Sequence, residues 1–387
     1  MKQLYEKVLT GRFVERPNRF VVHLAMDHLN GEVLPAHLPN PGRMWELLYP
    51  GVKFYIVHHP KKDAKTQYRV IGIERDGVPI MLDTNYSNDV AEYLISTKHI
   101  PGWEEWSVVR REYTVGNSRF DLLLTNDDGE SFLLEVKSCT LFSREGAMFP
   151  DAITERGRKH LLHLQALKSE GYHTGVLFLV QWERARWFLP DYHTDLAFAQ
   201  TFGEVAGDLD WKAVALRWTE EFTMPEVIRE CRFDAELLRR EAQDRGDYLV
   251  VLHLSTAMDL EIGSKGILHF EEGYYTYVGS AKANLTKRLE RHKRKRKKMH
   301  WHLDYFRSHC EMIATLSIRS SDDLECELAK AVNNLDGWEV PGFGSSDCDC
   351  NSHLFGTTYN PIHNEPFMLM VEDFRMNRLD TMINLGE

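Results

Sequence analysis

The sequence predicts a mixed α/β protein made of three successive patterns. Residues 1–82 hold only short apolar runs separated by turns, the pattern of a small barrel. Residues 83–219 read helix, three strands, helix, strand, which suits a mixed sheet with helices on both faces. A charged stretch at 220–245 has a helical pattern and reads as a linker helix, and from Gly246 a new α/β pattern begins. With 387 residues the chain is too long for one typical domain.

In the first pattern the strands are Arg19–Met26, Lys53–His58 and Tyr68–Ile73. Pro39-Asn-Pro-Gly42 turns into a short helical piece, Arg43–Leu48. In the second, a helix is expected over Ser87–Thr97, then strands near 107–114, 118–125 and 131–137. A longer helix from Thr154 to about Glu170 follows, with Asp151 as its expected cap, and then a buried strand, Thr174–Val180. The third pattern covers 246–356, with strands Tyr248–Leu254, Gly266–Phe270 and Tyr274–Val278, a basic helix near 284–297 and a helix over Asp322–Asn333. Residues 357–387 read as a C-terminal tail.

Hydrophobic content of 43% and charged content of 27% are ordinary for globular proteins. No apolar run reaches transmembrane length, and Met1-Lys-Gln-Leu-Tyr-Glu-Lys-Val has no signal-peptide core, so a soluble cytoplasmic protein is expected, with no membrane partner. Six cysteines in so long a chain do not suggest a disulfide framework. The net charge of −11 argues against uniform polyanion binding. Residues 282–298, however, carry ten Lys or Arg and a single acid, Glu290. One such patch lets a globally acidic protein hold DNA or RNA.

The strongest chemical signal lies in Arg119-Phe-Asp121 through Glu135-Val-Lys137. Two apolar strand-like runs flank Asp127-Asp128-Gly129, a hairpin turn signal. Folding about Asp128 sets Asp121 opposite Glu135, and Lys137 shares the face of Glu135. Two carboxylates among apolar strands repel each other unless a positive charge sits between them. A divalent cation held by Asp121 and Glu135, with Lys137 beside it to hold or activate water, is the chemistry of metal-dependent phosphodiester cleavage. Glu92, on the preceding helix, is a further acid within the pattern. On the helix that follows, Arg156, Lys159, His160 and His163 share one face, suited either to phosphate contacts or to solvent.

Residues 1–219 closely resemble the sugar fermentation stimulation protein A (SfsA) family. The matching stretches are Asn18-Arg-Phe20, His37-Leu-Pro-Asn-Pro-Gly-Arg-Met44, Leu82-Asp-Thr84, Ser118-Arg-Phe-Asp121, Leu134-Glu-Val-Lys-Ser138 and Phe149-Pro-Asp-Ala-Ile-Thr-Glu-Arg-Gly-Arg-Lys-His160. The resemblance implies an OB-like barrel over 1–82, a PD-(D/E)XK nuclease-like domain over 83–219, and DNA binding. Asp121, Glu135 and Lys137 fall on the nuclease signature, which implies Mg²⁺ or Mn²⁺. In an OB barrel, Arg16, Arg19 and Arg43 near turns are candidate phosphate contacts, and Phe20, Trp45 and Tyr55 are either base-stacking or core aromatics. The residues carry no sugar-site signature.

The last pattern is similar to an uncharacterised family of the GIY-YIG nuclease superfamily. The stretches are Gly273–Ala281, Leu285–His292, His300–Tyr305, Glu325–Ala329 and Phe343–Phe355. Tyr248 stands for the first half of that signature and Tyr277-Val-Gly279 for the second; the longer stretch between them fits an inserted hairpin. Arg288 and His292 are i,i+4 and reach one phosphate, Tyr248 or Tyr277 orients or deprotonates water, and Glu325 is placed to hold Mg²⁺. The run Lys293, Arg294, Lys295, Arg296, continuing to Lys298, is placed to track a nucleic-acid backbone. Cys348, Cys350 and His353 look like part of a zinc site, with Cys310 as the candidate fourth ligand; a turn with reduced thiols is the alternative. Two readings remain open: a Mg²⁺-dependent nuclease, and a DNA-binding regulatory protein built on nuclease-derived folds.

Overall fold

The computed structural model describes residues 3–59, 66–296, 298–345 and 348–383. Lys297 of the basic run and residues 346 and 347 of the Cys-rich stretch lie outside them. The chain divides into two compact units. The first comprises residues 1–191, 197–238 and 379–387, and the second 192–196 and 239–378.

The first unit begins with β1 (Leu9–Asn18), β2 (Val21–Met26), β3 (Glu32–His37), β4 (Lys53–His58), β5 (Tyr68–Arg75) and β6 (Val78–Met81). The order β3-β2-β1-β4-β5 is closed by parallel pairing of β3 with β5, which makes a five-stranded barrel, and β6 extends β5. Alternation along β2 drives it: Val22, Leu24 and Met26 point into the core with Phe13, Phe54, Ile56 and Val70. The OB-like expectation holds.

Next come α1 (Ser87–Ser96), β7 (Ser107–Val115), β8 (Ser118–Thr125), β9 (Ser131–Cys139), β10 (Leu141–Phe142), β11 (Gly146–Phe149), α2 (Glu155–Lys168), β12 (His173–Val180), β13 (Trp187–Pro190), α3 (Leu196–Val205), β14 (Asp210–Arg217), β15 (Glu226–Glu230) and α4 (Ala235–Glu241). The main sheet has the order β15-β14-β12-β9-β8-β7, with β9, β12 and β14 parallel and the outer strands antiparallel. Strand β9 is central and its two faces bury different partners. Leu134 and Val136 pack with Leu94 and Ile95 of α1, while Leu133 packs with Leu161 and Leu164 of α2. Helices therefore cover both faces, as the alternation of elements predicts. The edges β7 and β15 carry exposed Arg110, Arg111, Glu112, Glu226, Arg229 and Glu230.

Two expectations need correction here. The stretch 220–245 is not one linker helix: Glu226–Glu230 pairs with β14, and helix occurs only at Ala235–Glu241. Its charged residues mark an exposed edge strand rather than a solvated helix. Asp151 does not cap α2; Thr154 does, its hydroxyl accepting from the Gly157 N–H at 3.0 Å.

The second unit contains β16 (Gly246–Leu254), β17 (Met258–Glu261), β18 (Ile267–Phe270), β19 (Gly273–Ala281), α5 (Leu285–Lys293), α6 (His302–Arg307), β20 (Glu311–Arg319), α7 (Glu325–Asn333), β21 (Trp338–Glu339), β22 (Leu354–Thr357) and α8 (Glu365–Arg375). Its antiparallel sheet has the order β20-β16-β19-β22-β21. Strands β17 and β18 form a separate two-stranded sheet, the inserted hairpin that the long Tyr248–Tyr277 separation implies. Residues 357–387 are more than a tail, because α8 buries Phe367, Met368 and Val371. The basic helix is shorter than expected: it ends at Lys293, and Arg294 takes an extended backbone. No helix among the described residues is long and apolar enough to cross a membrane.

Candidate functional site: two acid-bearing centres

The first centre stands on the β8–β9 hairpin. A turn closed by the Gly129 N–H donating to the Asn126 carbonyl, with Gly129 at φ +79°, reverses the chain. The ladder then pairs Thr125 with Ser131 and continues to Leu122 with Leu134. One step further sets Asp121 beside Glu135, and the Val136 N–H donates to Asp121 Oδ2 at 2.8 Å. Asn88, in the first turn of α1, donates to Asp121 Oδ1 at 3.2 Å. Burial and the neighbouring charge of Glu135 push the Asp121 carboxyl above its usual range.

Glu135 is 4% exposed, and its two oxygens differ. Oε1 accepts from Lys137 Nζ and lies 2.7 Å from His160 Nδ1. Oε2 is buried with no hydrogen-bond partner among the described residues. Burial opposes ionisation of Glu135, but hydrogen bonds from His160 and Lys137 outweigh it and hold the carboxyl below its usual range. Arg156 Nε donates to His160 Nε2 at 3.4 Å. A guanidinium only donates, so Nε2 is the acceptor and Nδ1 carries the proton toward Glu135. The hairpin thus brings Asp121, Glu135 and Lys137 together, and α2 adds His160.

His160 therefore departs from its expectation. It is 7% exposed and turned inward, so it does not belong with the phosphate contacts. Lys159 stays exposed, and His163 hydrogen-bonds Ser118 Oγ through Nδ1. Glu92 is tied to Arg111, and Asn88 is the α1 side chain that reaches Asp121. A polar residue at a helix start reads as a cap, and nothing in the local pattern marks Asn88 as a partner of Asp121. On the barrel, Arg16 donates to the carbonyls of Arg19, Asn40, Gly42 and Arg43. Arg43 Nε donates to the Asp151 carbonyl and its guanidinium lies over the Trp45 ring. Arg19 and Phe20 are exposed, while Tyr55 is buried.

The second centre is on β16 and β19. Tyr248 pairs across the strands with Gly279. A Cβ at Gly279 would lie 2.6 Å from the Tyr248 hydroxyl and 2.9 Å from Tyr277 Cε1, so only glycine lets both rings approach. Tyr248 OH is 3.0 Å from His292 Nε2. Burial pushes its phenol up to about 12, with the Arg288 guanidinium opposing, so the hydroxyl keeps its proton at neutral pH. Arg288 lies over the Trp301 ring, 4.4 Å from its centroid, and Arg291 lies 4.1 Å from the same ring. Glu325, the first residue of α7, accepts from Ser280 Oγ. Burial works against its ionisation, yet His353 and Ser280 hold its carboxyl below the usual range. Lys293, Arg294, Lys295 and Arg296 are all exposed.

The Cys-rich stretch folds back onto α7. One ligand atom each from Cys326, Cys348, Cys350 and His353 lies within 4.8 Å of the others. Cys348 Sγ is 3.3 Å from His353 Nε2. The fourth member is Cys326, not Cys310. Cys310 is 1% exposed in the apolar core, with its thiol on the Phe306 carbonyl. Cys326 stands in a helix far along the chain from the Cys-Asp-Cys run, so spacing alone did not point to it.

Three family models match the chain. The SfsA N-terminal OB domain matches residues 14–82, the sugar fermentation stimulation protein RE domain matches 85–221, and a domain of unknown function, DUF123, matches 247–375. A sugar fermentation stimulation protein homolog of Methanothermobacter thermautotrophicus is 39% identical over 196 residues, covering 51% of this chain and 80% of the relative. Its counterpart in Desulforamulus reducens is 41% identical over 198 residues, covering 51% and 81%. Among solved structures, Pyrococcus furiosus SfsA superposes with a TM-score of 0.54 at 27% identity, over 60% of this chain and 99% of that one. The barrel, the hairpin with its acids and these matches agree: the chain belongs to the sugar fermentation stimulation protein family, with a DUF123 domain following the family's two domains.

Proposed function

We propose that this protein binds DNA and that Asp121, Glu135 and Lys137 form a divalent-cation centre for phosphodiester hydrolysis. The observation that carries the reading is Glu135 Oε2, a buried carboxylate oxygen with no hydrogen-bond partner among the described residues, beside a second, half-buried acid, Asp121. An ionised oxygen is costly to bury unless a cation or donor meets it. An all-oxygen pair suits a hard cation such as Mg²⁺ or Mn²⁺. The related P. furiosus protein was solved in complex with Ca²⁺, which supports a divalent cation in this reading.

Each side chain has a task in this reading. Lys137 and His160 hold one oxygen of Glu135 and so aim the other at the cation. Asn88 and the Val136 N–H fix Asp121 in the same way. The cation, when bound, lowers the pKa of water and polarises the phosphoryl oxygen. Lys137 is placed to steady the attacking water or the developing charge. Exposed Lys159 on α2 and Arg19 on the barrel supply phosphate contacts in this reading. In the second unit, Arg288 contacts phosphate, Tyr248 and Tyr277 orient water with His292, and Glu325 holds a further Mg²⁺.

The test is cleavage of single- and double-stranded DNA and RNA with Mg²⁺ or Mn²⁺, each with a chelator control. Chelator-sensitive cleavage of DNA is expected, lost in Glu135→Ala and Lys137→Ala. Cleavage unchanged in both variants removes this centre from the chemistry. DNA binding without turnover leaves a non-catalytic DNA-binding protein, and preference for RNA reassigns the substrate.

A further inference from the structure

We propose that Cys326, Cys348, Cys350 and His353 bind one zinc ion in a closed tetrahedral site, with Glu325 as the carboxylate that orients His353 from outside. The first argument is donor chemistry. Three thiols and one imidazole converge, each offering one atom, within 4.8 Å of one another. Zinc bonds of about 2.0–2.3 Å at tetrahedral angles place ligand atoms roughly 3.5–3.8 Å apart. The pair Cys348 Sγ and His353 Nε2, at 3.3 Å, is within a few tenths of an ångström of that spacing. Three thiols cannot all be joined by disulfides, whereas a Cys₃His set completes the coordination of one zinc. Four protein ligands leave no open position, so the site is structural and not catalytic.

The second argument is the orientation of His353. This residue is 2% exposed, and its backbone is fixed on both sides: the His353 N–H donates to the Phe343 carbonyl at 2.7 Å, and its carbonyl accepts from the Val278 N–H at 2.9 Å. Its Nε2 faces the thiols. Its Nδ1 lies 3.4 Å from Glu325 Oε1. A carboxylate behind a histidine ligand fixes the tautomer and strengthens the metal bond, and losing such a partner costs about 10–100-fold in metal affinity.

The third argument is what the ion would hold. Between β21 and β22 the described residues 340–345 and 348–353 contain no helix or strand. A connection this long without secondary structure needs another constraint to stay ordered. Zinc would staple it to the first turn of α7. Glu325 and Cys326 are adjacent there, so the staple also sets the acid of the second centre.

The experiment uses the full chain, purified without chelator, with zinc measured by elemental analysis. One zinc per chain is expected, together with a thiolate-to-cobalt charge-transfer band when Co²⁺ replaces it. Cys326→Ser and Cys348→Ser should lose the zinc, while Cys310→Ser and Cys231→Ser keep it. Because a ligand variant can fail to fold, Glu325→Gln provides the second measurement: it should retain zinc but yield it to a competing chelator about 10–100-fold more readily. A wild-type chain that holds no zinc and gives no cobalt–thiolate band overturns the proposal. So does full zinc in Cys326→Ser; unchanged chelator competition in Glu325→Gln overturns the role of Glu325. No nucleic acid enters these measurements, so their failure is separate from any failure of the hydrolytic reading.

Discussion

His160 Nδ1 lies 2.7 Å from Glu135 Oε1, the same oxygen that Lys137 engages, and Glu135 Oε2 is left buried without a donor among the described residues. Two donors on one oxygen hold the carboxylate plane and aim its other oxygen. This asymmetry divides the roles of the three residues and can be tested one side chain at a time.

Removing the aimed oxygen should abolish cation binding, and removing a donor should only weaken it. Calorimetric titration with Mn²⁺ or Ca²⁺ should show no binding at this centre in Glu135→Ala. His160→Ala should bind about 10–100-fold more weakly, as expected for loss of an outer partner. Equal affinities in wild type and Glu135→Ala would place the cation elsewhere.

The pH dependence follows from the two acids, and they act in opposite senses. The Asp121 carboxyl sits above its ordinary value of 3.8, through burial and the charge of Glu135. Cation affinity should therefore fall as pH drops through a value higher than that of an ordinary aspartate. Glu135 sits below its ordinary value of 4.5. Its contribution to stability is present above that value and is lost as pH falls through the lowered one. Asp121→Asn should remove the upper break in a plot of Ca²⁺ affinity against pH, and a break that survives in this variant would assign it to another group.

Asp247, at 1% exposure, is pushed by burial up to about 7. The folded state then binds a proton more tightly than the unfolded chain does. Stability should fall as pH rises from about 4 through 7, a loss on the order of 2–4 kcal/mol. Asp247→Asn keeps an oxygen for the Leu324 N–H and should flatten that slope. Calorimetry at pH 5 and pH 8 checks it: the variant should gain in melting temperature at pH 8 only.

Basic residues in the two units should respond differently to salt. Replacing Lys293, Arg294, Lys295 and Arg296 with alanine should lower DNA affinity and reduce the slope of log K against log salt by about 3–4, if each meets one phosphate. Arg16→Ala should leave that slope unchanged. Its guanidinium serves four backbone carbonyls, so its loss should show as a stability drop of roughly 2–3 kcal/mol. A changed salt slope in Arg16→Ala would return it to the DNA contacts.

The hairpin was legible because its information is local: alternating apolar residues, a turn signal and a fixed count between acids determine which side chains face each other. The barrel strands and the helices flanking β9 were readable for the same reason. The parts that escaped depend on distant packing. His160 looked like a member of an exposed basic face, and only the docking of α2 on the sheet turns it toward Glu135. Cys326 sits in an ordinary helical pattern until the chain returns with Cys348 and Cys350. Glu226–Glu230 reads as helix by its charges, yet β14 offers it a ladder to complete.

The main sheet closes neither into a barrel nor against itself, so β7 and β15 leave backbone groups open to any strand that comes near. Exposed Arg110, Arg111 and Glu112 line one border and Glu226, Arg229 and Glu230 the other, and the β7 ladder slips register between Val108 and Arg110. A neighbouring chain trying to add a strand would have to desolvate those charges and match an irregular ladder. The borders that frame the acid-bearing hairpin thus protect the protein from polymerising through the same sheet that carries its chemistry.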